Sequence, residues 1–267
     1  MLRFGLIGHG RFGKHYERLL GQIPGVELAG IATRHTTTSV EDILKNPVID
    51  AVIIATPAST HADIIRKSLG ARKHVLVEKP MVMSVAEANT IKPLLNDRIF
   101  MVGYQYLFNQ SIRGLKNKLP VHYYLGETMS DGPLRDDISV FMDAGVHDLS
   151  IIEYLFSPGK VIAAEGQHHS DFAAITVTFA NGLRAHLVTS RVFPEKIRRI
   201  TLANANSGLL FDDRAVKQKN EPLRNEFEHF IDCIKNGKQP LTDFTFGLQI
   251  TKHCDHIASF MSNIQKR

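Results

Sequence analysis

The sequence predicts an α/β domain built on a parallel sheet, followed by an α+β domain whose open sheet is mostly antiparallel. Three observations carry this. From residue 2 to about residue 102, short apolar runs alternate with helix-length segments, the pattern of strand–helix–strand units. After Gly103 the alternation stops, and from Val161 short strands follow one another directly. Ala180-Asn181-Gly182, between two such strands, is a hairpin signal, because Asn-Gly suits the left-handed backbone of a tight antiparallel turn. The domain boundaries read from this are 1–104 and 105–267.

Taken in order, residues 2–7 form a first strand. Gly8-His9-Gly10-Arg11-Phe12-Gly13 follows, and a helix runs over Lys14–Gln22. Between a strand and a helix, Gly-x-Gly-x-x-Gly is the dinucleotide fingerprint of a Rossmann domain. Gly8 permits the tight turn, Gly10 lets backbone approach a pyrophosphate, and Gly13 lets helix and strand pack closely. The helix N-terminus offers free N–H groups and a positive dipole end to the phosphates. A second strand, residues 26–32, ends at Thr33-Arg34-His35, where an NAD site usually places Asp or Glu. Arg34 suits a 2′-phosphate or stacks on adenine, which tilts the choice between NAD and NADP towards NADP.

The next stretch is abbreviated. A short helix over Val40–Lys45, with Ser39 as N-cap, leads straight to strand Asp50–Ala55. A full doubly wound half would fit a further helix and strand between Arg34 and Ser39. Its loss falls at the sheet edge and leaves the adenosine end of a cofactor site open. Thr56-Pro57 closes the third strand, and Ser59, Thr60 and His61 open a helix running to about Leu69. His61 either touches substrate or cofactor, or serves capping and packing. The run His74-Val75-Leu76-Val77 reads as a buried parallel strand that stops at Glu78-Lys79-Pro80. Ligands bind beyond the carboxyl ends of such strands. Lys79, with Pro80 stiffening the next bond, is therefore placed beside a nicotinamide ring. Helix Ser84–Leu95 and strand Ile99–Val102 complete the domain.

In the second half we expect a helix over Gln110–Lys118, a strand over Val121–Glu127, a polar loop over Ser130–Asp137 and a helix over Asp143–Phe156. Asp143 and His147, four residues apart, share a helix face with Ile151 and Leu155. They suit a catalytic pair, with the histidine exchanging a hydroxyl proton and the carboxylate orienting ring or substrate. An Asp N-cap with an incidental histidine explains them equally well. Strands Ala174–Phe179, Leu183–Thr189, Ile197–Ala203 and Leu209–Phe211 follow. Helices 222–237 and 244–264 close the chain, with Phe227, Phe230, Ile231 and Ile234 as a core stripe. No metal site is expected: Asp143-x-x-x-His147 lacks further ligands at recognisable spacing, and His168-His169 with Asp171 reads as a polar loop.

Hydrophobic content of 43% and charged content of 22% are those of an ordinary globular chain. The formal charge of +5 is scattered, with no Lys/Arg block longer than a pair, so no nucleic-acid partner is expected. The longest apolar runs, such as Ala51–Ala55, are too short to span a bilayer. Two cysteines, Cys233 and Cys254, do not make a disulfide framework, and Met1–Gly5 enters a strand without room for a signal peptide. A cytoplasmic location is the expectation.

The motifs in their order resemble one family. They are the opening Gly-x-Gly-x-x-Gly, Ala55-Thr56-Pro57 with His61, Glu78-Lys79-Pro80, Asp143-x-x-x-His147, the Phe179-Ala180-Asn181-Gly182 hairpin, and Glu226-Phe227 with Phe230-Ile231. The chain resembles the glucose–fructose oxidoreductase / inositol dehydrogenase family (Gfo/Idh/MocA) nearly end to end. The resemblance implies a Rossmann domain followed by an α+β domain whose open sheet face mediates contacts in a homodimer or homotetramer. It implies NAD(P)-dependent interconversion of a secondary alcohol and a ketone on a sugar, sugar-nucleotide or polyol substrate. It also implies that Lys79, Asp143 and His147 converge on that substrate. Gly132-Pro133-Leu134-Arg135 leading to Asp143 and His147-Asp148-Leu149-Ser150 is similar to members associated with sugar or nucleotide-sugar metabolism. Two departures stand out. Leu107-Phe108-Asn109-Gln110 replaces a frequent Arg-Phe-Asn-Pro, and Ser139-Val140-Phe141-Met142 stands where a glycine pair often precedes the Asp-x-x-x-His motif. With the abbreviated edge they motivate an alternative expectation, a cofactor-binding but weakly catalytic or regulatory member of the fold.

Overall fold

The computed structural model describes residues 1–215 and 221–261, so the end of the helix expected over 244–264 lies outside the described residues. The chain divides into two units, Met1–Gly103 with Glu226–Leu248, and Tyr104–Asn225 with Gln249–Arg267. Beside the break expected near residue 104, a late segment, Glu226–Leu248, groups with the first unit.

The first unit is a parallel sheet of five strands: β1 (Leu2–Ile7), β2 (Val26–Ala32), β3 (Ala51–Ile54), β4 (His74–Glu78) and β5 (Phe100–Gly103). Their order is β2-β1-β3-β4-β5, so β2 is an edge and the missing strand falls where the sequence placed it. Every residue of β3 and Val75, Leu76 and Val77 of β4 are fully buried, as expected of a parallel sheet covered on both faces. The helices are α1 (Arg11–Leu20), α2 (Val40–Lys45), α3 (His61–Gly70) and α4 (Val85–Ile91). α1 starts three residues before the expected Lys14, because the helical turn begins directly after Gly10. Ser39 caps α2 in a full capping box with Asp42. α4 ends early, where Pro93 turns the chain into a short 3₁₀ segment over Lys92–Leu94.

The late segment joins this unit through aromatic packing. Phe227 sits 5.2 Å from the Phe4 ring and 5.9 Å from Tyr16, ring centre to ring centre, both edge-on. Thr242 adds a backbone pairing: its carbonyl accepts from Val102 N at 2.8 Å, and its hydroxyl donates to Val102 O at 2.7 Å. The sequence shows this stripe as helical core but carries no signal of which domain it joins.

The second unit holds a six-stranded mixed sheet. Its strands are β6 (Tyr123–Asp131), β7 (Val161–His168), β8 (Phe172–Phe179), β9 (Arg184–Ser190), β10 (Val192–Ala203) and β11 (Gly208–Asp212), in the order β11-β10-β6-β9-β8-β7. Only the β6–β9 pair is parallel. The Asn181-Gly182 hairpin joins β8 and β9, with Gly182 at φ +88°. In β8, Ala173, Ile175, Val177 and Phe179 are buried while the residues between them are half-exposed, so one sheet face is covered and the other open. On the open face Leu125 lies in register with Thr201, and Thr201 with Leu210.

The helices of this unit depart from expectation. The helix expected over Gln110–Lys118 is a single turn, α5 (Gln110–Arg113), capped by Asn109. Ser130 and Asp131, expected in a loop, extend β6. The helix expected from Asp143 begins as a π turn over Phe141–Gly145, and only then becomes α6 (Val146–Phe156). Two helices close the described chain: α7 (Pro222–Asn236) and α8 (Phe244–Phe260).

Phe227 is fully buried between two rings, whereas Phe260 is exposed. Phe227→Ala is expected to lower stability by about 3–5 kcal/mol through lost packing and the cavity left behind. Phe260→Ala should change it by less than about 0.5 kcal/mol. Denaturant titration of the two variants checks the contrast.

Candidate active site

In the first unit the carboxyl ends of β1, β3 and β4, three neighbours in the sheet, carry the glycine turn, Thr56-Pro57 and Glu78-Lys79-Pro80 respectively. Gly8 adopts φ +94°, and a Cβ there would stand 2.5 Å from Ala55 O. A Cβ on Gly13 would stand 2.3 Å from Gly8 O. Both glycines are thus fixed by close approach of backbone to backbone. Gly10 differs, since nothing lies within 4 Å of the Cβ position it lacks. It is the N-cap of α1, no side chain caps the helix, and no acidic residue occupies the first turn. Arg11 is exposed beside it and Phe12 half-buried. His9 leans back on α1, its Nε2 lying 2.7 Å from Glu17 Oε2.

His61 is fully buried, with Nδ1 2.9 Å from Pro80 O and Nε2 3.0 Å from Thr56 O. Both ring nitrogens face backbone carbonyls, so the ring braces the turn after β3 against the turn after β4. These contacts are those the packing reading of His61 expects. Burial lowers its pKa, while the hydrogen bonds to the two backbone carbonyls act in the opposite direction. Lys79 is half-buried at the strand end, follows the buried Glu78 and precedes a cis Pro80. Its backbone N–H donates to Glu78 Oε2 at 3.2 Å. At the end of β2, Thr33 and Thr36 close a turn, with Thr33 N donating to Thr36 Oγ1 at 2.8 Å, and Arg34 is exposed.

In the second unit Asp143 lies in the π turn, so the simple i,i+4 geometry expected for Asp143 and His147 does not apply. Its Oδ2 lies 3.2 Å from Arg191 Nη2 and 3.5 Å from Arg135 Nη1. Arg191 is buried and also reaches Asp171 at 3.3 Å and the Ile138 carbonyl at 2.9 Å. His147 is buried on α6 and meets the Tyr106 ring edge-on at 4.7 Å. The Arg198 guanidinium lies 4.2 Å over that same tyrosine ring. Arg198 in turn pairs with fully buried Asp148 at 3.2 Å and contacts Thr128. Asp148 also accepts from Tyr124 Oη at 2.6 Å and Thr128 Oγ1 at 2.8 Å. A Cβ on Gly126 would fall 2.4 Å from Asp148 Oδ1, so that glycine makes room for the carboxylate. Among the described residues no cluster of three or more His, Cys, Asp or Glu could hold a metal ion. None of the described helices is long and apolar enough to cross a membrane.

Sequence reasoning missed Arg191, Arg198 and Tyr106. Arg198 was findable: it stands in phase with Ile200 and Leu202 on β10, an arginine on the inward face of a strand.

Residues 2–106 match the family described as an oxidoreductase family with an NAD-binding Rossmann fold (GFO/IDH/MocA), and residues 132–204 match the GFO/IDH/MocA C-terminal domain. The chain belongs to the GFO/IDH/MocA oxidoreductases. One relative is scyllo-inositol 2-dehydrogenase (NAD(+)) of Bacillus subtilis, 25% identical over 93% of this chain and 92% of the relative. Another is UDP-N-acetylglucosamine 3-dehydrogenase of Acidithiobacillus ferrooxidans, 28% identical over 75% of this chain and 71% of the relative. A solved structure of the latter superposes with a TM-score of 0.85 at 23% identity, covering 99% of each chain, a likeness of fold.

The glycine turn fits the dinucleotide of a GFO/IDH/MocA oxidoreductase. The open space at Gly10 is where any larger residue would put its Cβ, and the uncapped first turn of α1 would offer its N–H groups to the pyrophosphate. Arg198→Ala, which leaves Asp148 buried and unpaired, is expected to destabilise the protein by about 3–5 kcal/mol. Arg198→Lys should recover part of this but not the stacking on Tyr106. Chemical denaturation of the two variants is the check.

Proposed function

We propose that this oxidoreductase interconverts a secondary alcohol and a ketone on a sugar, sugar-nucleotide or polyol, using NAD or NADP. The single observation that carries the reading is Lys79 at the carboxyl end of β4, on the same sheet edge as the glycine turn. The named activities of the inositol and UDP-N-acetylglucosamine relatives support the substrate class. When bound, the dinucleotide supplies the hydride acceptor or donor.

The chain's own residues do the rest. Gly8, Gly10 and Gly13 with the α1 N-terminus would hold the pyrophosphate. Thr56, Pro57, Glu78 and Pro80 would line the site for the nicotinamide ring. Lys79, as ammonium, stabilises negative charge developing on the substrate oxygen. His147 takes or returns the hydroxyl proton. Asp143, held by Arg191 and Arg135, orients substrate. A lean to NADP rests on Arg34, exposed at the end of β2 where no carboxylate stands. The open face of the second sheet, with Tyr123, Leu125 and Leu210 exposed, supports a homodimer or homotetramer.

Lys79→Met is expected to lower kcat about 10²–10³-fold while dinucleotide affinity, measured by fluorescence titration, stays within about threefold. Unchanged turnover removes Lys79 from the reaction. Dinucleotide binding without reduction by any polyol or sugar nucleotide favours the regulatory alternative. Arg34→Ala should weaken NADP binding about tenfold, the loss of one charge-assisted phosphate contact. NAD binding should barely move, and equal loss for both cofactors would place Arg34 on the adenine instead.

A further inference from the structure

We propose that Glu226 is a neutral carboxylic acid that donates a hydrogen bond to Tyr16, and that this proton fixes Glu78 and with it the turn carrying Lys79. The positioning role rests on the reading of Lys79 given above; the protonation state does not.

All four residues belong to the first unit. Tyr16 Oη lies 2.8 Å from Glu78 Oε1 and 3.1 Å from Glu226 Oε1. A phenol has one hydrogen and can donate to one of the two oxygens. Two ionised carboxylates around one phenol, out of water, would also repel each other strongly. The geometry therefore needs a second proton, and the surroundings decide where it sits. Glu226 is completely buried, and its Oε2 has no hydrogen-bond partner among the described residues. An anion there would lack both solvent and donors. Glu78 is better supplied, since its Oε2 accepts the Lys79 N–H. Its register partner across the β4–β5 pairing is Gly103, where a Cβ would stand 3.4 Å from the carboxyl group. The charge belongs on Glu78 and the proton on Glu226.

The donors then form an ordered chain: Glu226 O–H to Tyr16 Oη, Tyr16 O–H to Glu78 Oε1, and Lys79 N–H to Glu78 Oε2. Burial, then the Glu78 and Glu226 carboxyls, raise the Tyr16 pKa, so the phenol keeps its hydrogen. Burial and the charge on Glu78 raise the Glu226 pKa well above the ordinary carboxylate range. The titratable groups facing Glu226 are Tyr16 from α1 and Glu78 from the end of β4. A carboxyl with a raised folded pKa contributes stability that is fully present below the unfolded value. That contribution is lost as pH rises from the ordinary carboxylate range through the folded pKa.

Three measurements on the full-length protein test this. Infrared spectroscopy at neutral pH should show the carbonyl stretch of a protonated carboxylic acid, and Glu226→Gln should remove it. Glu226→Gln should also gain on wild type in melting temperature as pH rises, by about 2–4 °C between about pH 5.5 and 8, because the amide donates to Tyr16 at every pH. Glu226→Ala should lower kcat about ten- to a hundredfold with little change in dinucleotide affinity, and Glu226→Gln should restore most of it. Where Glu226→Ala does not fold, Tyr16→Phe, which removes the relaying hydroxyl, takes its place. Parallel melting curves with an unchanged infrared band overturn the protonation, and an unaltered kcat in Glu226→Ala overturns the positioning. A wild type without turnover fails the dehydrogenase reading alone, while the band and the melts still decide the state of Glu226.

Discussion

The carboxyl edge of the parallel sheet depends on how closely the turn after β1 approaches the turn after β3. Gly8 lies so near the Ala55 carbonyl that no side chain fits between them. That contact sets the glycine turn, and the turn directs the start of α1 into open space at Gly10. His61 extends the same constraint one strand further by bridging the Thr56 and Pro80 carbonyls. Three strand ends are thereby held in one arrangement by backbone contacts and one buried ring, and Lys79 stands at the last of them.

The second unit reaches comparable rigidity by charge. Asp148 and Arg198 are both buried, and such a pair adds little net stability unless its remaining hydrogen-bonding capacity is filled. Tyr124 and Thr128 fill it for the carboxylate, whereas the guanidinium, stacked on the Tyr106 ring, keeps Nε and Nη2 without a hydrogen-bond partner among the described residues. The pair therefore specifies geometry: it fixes a tyrosine whose other contact is His147. Arg191 does the same for the π turn, gripping Asp143, Asp171 and the Ile138 carbonyl at once. The open turn of helix and the arginine that braces it are one feature.

Much of the fold was legible because parallel strands buried on both faces must be continuous apolar runs. Ala51–Ile54 and Val75–Val77 are such runs, and Gly-x-Gly-x-x-Gly between strand and helix admits few other readings. Lys79 was legible for a related reason, since a charged residue closing an apolar run marks a strand end. His61 was ambiguous because a histidine at a helix start serves ligands and carbonyls equally well, and its burial against two carbonyls is visible only in the fold. The π turn at Asp143 left no trace in the spacing, because residues 141–152 are buried on nearly every side and present no one-sided apolar stripe whose phase could shift. Arg191 and Arg198 were hidden differently. A lone arginine in a strand means nothing until the carboxylates it meets, tens of residues away, are brought beside it.

The return of residues 226–248 to the first unit bears on the order of assembly. On the ribosome the five parallel strands emerge early, yet Phe4 and Tyr16 gain Phe227, and Val102 gains Thr242, only after more than a hundred further residues have been made. The five-stranded unit thus waits for a segment made long after its strands. During that interval its aromatic face depends on whatever else in the cell shields apolar surface.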